Sequence, residues 1–110
     1  MNIMERNEKD ISIFNVEGRI DSEGAVDLDL ALQTAVSEGK YKMIVDMSGV
    51  RYINSAGLRT LADILTRNKE LGGDLKLVAM NPKVKRVFEI IGFEKFFNIY
   101  ETMPEALKAF

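Results

Sequence analysis

The chain has 110 residues, 46% hydrophobic and 29% charged, with 15 Lys and Arg against 17 Asp and Glu for a net charge of −2. That near balance exerts no general pull toward nucleic acid or an anionic membrane. The lack of cysteine removes any disulfide framework, and no apolar run approaches the ~20 residues of a membrane span. The expectation is a single domain over residues 1–110 that buries roughly two-thirds of its unfolded surface. Met1 to Asp10 hold no apolar stretch of signal-peptide length, so the expected address is cytoplasmic.

In chain order, Asn2 to Arg6 reads as a strand paired through the polar turn Asn7-Glu-Lys-Asp10 with Ile11 to Glu17, whose near-alternation points Ile11, Ile13 and the neighbourhood of Val16 inward. Gly18-Arg-Ile-Asp-Ser22 leads into a helix capped by Asp21 or Ser22, with Glu23 suited to its first turn. Its apolar stripe is read as Val26, Leu28, Ala31, Leu32, Ala35 and Val36, and Gly39 stops it. Tyr41 to Met47 is a short apolar run typical of a strand covered on both faces. A helix from about Ser55 to Leu71 follows, with Leu58, Leu61, Ala62 and Leu65 inward.

Asp74 to Met80 is the next strand, and Asn81-Pro82 gives a cap followed by proline at the first helical position. Val84, Val87, Phe88 and Ile91 form one face of that helix, and Gly92 ends it. Phe96 to Tyr100 reads as a last strand. Thr102-Met-Pro-Glu105 is a capping-box pattern opening a short helix with Met103, Leu107 and Phe110 inward. The order β-β-α-β-α-β-α-β-α implies an α/β fold: a mixed, mainly parallel sheet of about five strands with about four covering helices.

The segment Asp46-Met-Ser-Gly-Val-Arg-Tyr-Ile-Asn-Ser-Ala-Gly-Leu58 joins strand to helix and places Ser55 in the helix's first turn. A strand–Ser–helix turn is similar to the nucleophile elbow of α/β-hydrolases, but Ile53 stands where its first glycine belongs. The chain also has no histidine or cysteine, leaving only a lysine or carboxylate as base. Ser37-Glu-Gly-Lys40 matches Ser-x-x-Lys, yet falls at a helix tail, where lysine complements the dipole. For Ser55 two readings stay open. Asn54 or Ser55 is a plain cap, which stabilises by ~1 kcal/mol; or the hydroxyl is functional, with small Ala56 and Gly57 letting another backbone come close.

Loops leaving the carboxyl ends of parallel strands gather on one sheet edge, so Asp21 is placed near Ser55, again with helix capping as the simpler account. Lys83, Lys85, Arg86 and Lys95 read as a solvated face, with no aromatic interleaving for RNA. Asp46, Asp63 and Asp74 lack EF-hand spacing and soft ligands are absent, so no metal or cofactor site is assigned. Gly72-Gly73 lacks the Lys-Ser/Thr of a phosphate loop and reads as a turn.

The same Asp46–Leu58 segment resembles the signature of the STAS domain, in particular the bacterial anti-sigma-factor antagonists: Asp-x-Ser, an aromatic–aliphatic pair, then Asp/Asn-Ser-Ser/Ala-Gly-Leu. Gly18-Arg-Ile-Asp21, Pro82-x-Val84 and Ile91-Gly-Phe93 resemble further family segments, so the similarity spans essentially the whole chain. The resemblance implies a switch protein and not an enzyme. In that family the antagonist binds an anti-sigma factor that is also a serine kinase, releasing a sigma factor. The kinase phosphorylates the serine, here Ser55, the complex parts, and a phosphatase restores the antagonist.

By the same resemblance the partner-binding residues are Asp21, Ser22, Asn54, Ser55, Ala56, Gly57 and Arg59, with no direct contact to nucleic acid or membrane. The best-known members carry Asp before the serine; this chain carries Asn54. The alternatives are a STAS module in another phospho-relay and a STAS domain that binds a nucleotide or other small ligand.

Overall fold

The computed structural model describes residues 1–110. A five-stranded sheet runs β1-β2-β3-β4-β5 in spatial order. The strands are β1 (Asn2–Glu8), β2 (Ile11–Ile20), β3 (Lys42–Ile53), β4 (Asp74–Val78) and β5 (Asn98–Tyr100). The hairpin β1–β2 is antiparallel and all later pairings are parallel. Helices α1 (Ser22–Ser37), α2 (Ser55–Glu70) and α3 (Pro82–Ile91) connect the parallel strands, and α4 (Met103–Lys108) closes the chain.

Period-two alternation divides the core between the two sheet faces. Phe14, Val16, Met43, Val45, Met47, Leu75 and Leu77 meet the buried stripes of α1, α2 and α3. Ile11, Ile13, Ile44 and Val78 point the other way, toward Ala106 of α4, with Met103, Leu107 and Phe110 packed alongside. The expected inward residues of the last helix are therefore in contact with the core, and Thr102 and Glu105 form the expected capping box.

The structure departs from the sequence reading at several places. Strand β3 continues six residues past Met47 to Ile53, and β2 runs on to Ile20, because the two keep pairing beyond irregularities at Asn15/Glu17 and Gly18/Arg19. Pairing, a tertiary fact, overrode the glycines and polar residues that looked like loop. The last strand is only Asn98–Tyr100. Phe96 and Phe97 precede it in a turn, where the buried Phe97 ring meets Phe88 edge-on at 5.5 Å between centroids. Ile91, placed on the inner face of α3, is exposed, and Val87 is half-buried. Val26, placed in the stripe of α1, is 68% exposed; Ala25 is buried in its stead.

Candidate functional site

Parallel pairing brings Ile20 opposite Ile53 at the carboxyl ends of β2 and β3, so α1 and α2 both start from the same sheet edge. The Asn54 amide N–H donates to the Ile20 carbonyl at 3.0 Å, and Asn54 Nδ2 donates to Ser22 Oγ at 3.5 Å. Asp21, Ser22, Asn54 and Ser55, read from the sequence as neighbours, thus belong to adjacent turns.

Each turn caps its helix in the same way. Asp21 Oδ1 accepts from the Gly24 N–H at 2.9 Å, and Asn54 Oδ1 accepts from the Gly57 N–H at 3.0 Å. Both capping residues have extended backbone, as a cap requires. Of the two capping candidates, Asn54 is the cap, and Ser55, at the first helical position, is exposed with its hydroxyl released from that duty. The cap needs only an acceptor oxygen, which Asn supplies as well as Asp. Asn54 therefore keeps the turn while removing a negative charge beside Ser55.

Gly57 calls for a correction. It is buried, and a Cβ on it would strike Ile20 Cγ2 and lie 2.9 Å from Ile53 Cγ1. Its missing side chain lets α2 close onto the strand ends; it does not open room for an incoming partner. Ala56 and Arg59 are exposed as expected. Between α1 and α2 lies an open groove of about 530 Å³, with Ser22, Val26, Asp29, Ser55, Ala56 and Arg59 among its lining. Val26 was missed as a site residue because it was assigned to the core.

The electrostatics around Ser55 favour an anion. Helix α2 has no acidic residue in its first turn, and Arg59 follows one turn on, so the helix's own dipole and unpaired N–H groups favour an anion there, while Asp29 of α1 is the one carboxylate lining the groove. The Ser-x-x-Lys alternative has no support. Ser37 Oγ donates to the Thr34 carbonyl at 2.7 Å, and Lys40 Nζ is 3.2 Å from both Glu5 and Glu38. Hydrogen bonds to those two carboxylates raise the Lys40 pKa above the ordinary lysine value, the opposite of what a general base needs. Asp46 accepts from the Ser48 N–H, and Asp74 from Lys76 Nζ and Asn98 Nδ2, so both carboxylates are engaged within the fold. No helix is long and apolar enough to cross a membrane.

The fold is thus a mixed α/β sheet that presents an exposed serine at the start of α2, beside the groove between α1 and α2. This chain belongs to the STAS domain family, whose profile matches residues 2–106. It is 32% identical over 95 residues to BtrV of Bordetella bronchiseptica, a candidate anti-sigma factor antagonist, covering 86% of this chain and 82% of that protein. A solved anti-sigma factor antagonist from Mycobacterium paratuberculosis superposes with a TM-score of 0.89 at 28% identity, covering 98% of this chain and 92% of that one. Unphosphorylated SpoIIAA, also an anti-sigma factor antagonist, shares the fold at a TM-score of 0.85 and 16% identity over 98% of this chain and 95% of its own, and SpoIIAA has been solved in a phosphorylated form too.

Proposed function

We propose that this chain is an anti-sigma factor antagonist that binds an anti-sigma factor with serine kinase activity through the Ser55 groove, releasing a sigma factor. Phosphorylation of Ser55 ends that interaction, and a phosphatase resets it. The observation that carries the reading is the state of Ser55: exposed, at the first position of α2, freed from capping by Asn54, and free of acidic neighbours in its turn. A phosphate adds about −1.5 to −2 charges and substantial bulk. The helix start accommodates the charge, so the modification acts on the interface and leaves the fold in place. The names of the relatives and the phosphorylated form of SpoIIAA support the same reading.

Incubation with the cognate kinase and ATP is expected to add one phosphate, placed on Ser55 by mass spectrometry of the digest and abolished by Ser55→Ala. Ser55→Asp is expected to lose most affinity for the kinase while melting at or slightly above the wild-type temperature. Modification of Ser22 or Ser48 with Ser55 untouched would overturn the assignment, as would a Ser55→Asp protein that unfolds early and binds normally.

A further inference from the structure

Along α1 the buried positions are Gly24, Ala25, Leu28, Leu32, Ala35 and Val36. On the opposite side Val26 and Leu30 stand one helical turn apart, each 68% exposed. Nothing in the fold covers them, although apolar side chains this exposed gain by removal from water. Their position matters more than their number. Val26 lines the same groove as Ser55, Ala56 and Arg59, so the apolar crest of α1 continues directly into the wall facing the serine.

Within α1 itself the charge has one sign, with Arg19, Arg51 and Arg59 contributed by neighbouring elements. From Ser22 to Ser37 the helix carries Glu23, Asp27 and Asp29 and no Lys or Arg, and none of these carboxylates takes part in a salt bridge. Asp29 faces the groove, where it accepts from Gln33 Nε2 at 3.5 Å. Glu23 and Asp27 lie on the other flank of the crest, beside Arg19 and Arg51, and Arg19 is already stacked over the Tyr52 ring at 4.3 Å. An acidic apolar crest of this kind is repelled by an anionic membrane, and a symmetric α1-on-α1 dimer would bring like charges together.

We propose that Val26 and Leu30 are the anchor by which the anti-sigma factor kinase seats itself on the groove, through an apolar pocket edged with Lys or Arg on the side of Glu23 and Asp27. This rests on the reading of Ser55 as that kinase's substrate and adds where the binding energy sits. Interface energy concentrates in a few buried apolar side chains, while rim charges set the rate and salt dependence of association. The arrangement separates holding from switching. The crest holds the partner; the phosphate acts in the groove beside it. Because the basic contacts fall on the flank away from Ser55, a phosphate there dislodges the partner by its bulk without being captured by those contacts.

The test uses the anti-sigma factor kinase purified from the same organism. Affinity is measured by titration calorimetry, and phosphorylation as separate kcat and KM. The double variant Val26→Gln, Leu30→Gln is expected to bind at least tenfold more weakly and to raise KM with kcat kept, while circular dichroism and Tm match wild type. Glu23→Lys with Asp27→Lys is expected to weaken binding several-fold at low salt and less at high salt. Ile90→Gln, at a position 73% exposed on α3, is expected to change nothing. If wild type binds and is phosphorylated while the Val26/Leu30 variant does so equally well, the anchor is wrong and the Ser55 reading stands. If wild type is not phosphorylated at Ser55, it is that reading that fails. Loss at Ile90→Gln would move the anchor to α3. A concentration-dependent dimer of wild type that Val26→Gln, Leu30→Gln abolishes, with kinase affinity kept, would assign the crest to a second copy of this chain and overturn the proposal.

Discussion

The starts of α1 and α2 are local copies of one another. Each reads Asx-Ser-x-Gly: Asp21-Ser22-Glu23-Gly24 and Asn54-Ser55-Ala56-Gly57. In both, the Asx side chain caps through the glycine N–H, and the serine is exposed at the first helical position. Both glycines are buried where a Cβ would strike the neighbouring chain; at Gly24 it would lie 2.5 Å from the Arg19 carbonyl oxygen. Backbone geometry therefore does not distinguish Ser22 from Ser55. Charge does. Ser22 sits between Asp21 and Glu23, which oppose a further negative group, whereas Ser55 sits between neutral Asn54 and Ala56. One frame serves a structural corner and a candidate switch, and its flanking charges decide which is which.

The largest effect should come from breaking what the two turns share. Gly57→Val forces a side chain into Ile20 and Ile53, and overpacking of this kind costs about 1–3 kcal/mol or more. Urea denaturation should show that loss, and Gly24→Val should behave similarly. A folded Gly57→Val protein of wild-type stability would show that the glycine is there for a partner after all.

Next come the caps. Asn54→Ala and Asp21→Ala should each lower stability by about 1 kcal/mol, while Asn54→Asp should keep its cap. Chemical denaturation of the three variants would check this, and a silent Asn54→Ala would return the capping role to Ser55.

A smaller difference separates the two serines. Ser55→Asp should gain about 0.3–1 kcal/mol from the helix dipole, and Ser22→Asp less, because Asp21 and Glu23 repel it. In an Asp21→Asn, Glu23→Gln background the Ser22→Asp gain should rise toward that of Ser55→Asp. In an Asn54→Asp background the Ser55→Asp gain should shrink. Equal gains in all backgrounds, read from thermal melts, would remove the electrostatic distinction.

The smallest effect lies away from both turns. At the β1–β2 corner a hydrogen bond from Lys42, and then its charge, lower the pKa of the exposed Asp10 carboxyl. A lowered folded-state pKa gives stability that is present above the unfolded carboxylate's value and is lost as pH falls through the folded one. Asp10→Asn should therefore differ slightly from wild type in Tm at neutral pH, and the two should converge in acid. A difference that grows in acid would reverse the sign of the linkage.

Residue order alone carried a good deal of this molecule. Helix caps and stops depend on interactions within a few residues, so Asn81-Pro82 and the Thr102–Glu105 box were legible, as was the alternation of strands and helices that implied a mixed sheet. The repeated Asx-Ser-x-Gly pattern was also there to be read, and would have announced the paired helix starts. Tertiary structure alone decided the rest. The added length of β2 and β3 came from pairing between distant segments. The burial of Gly57 depended on how α2 settles against Ile20, more than thirty residues earlier in the chain. Val26 fits an apolar helical pattern, but only the packing of α1 fixes which side of the helix faces the sheet. That rotation leaves Val26 and Leu30 in water beside Ser55, because a stripe of hydrophobic residues gives a helix its period, and only the surface it lands on gives it a direction.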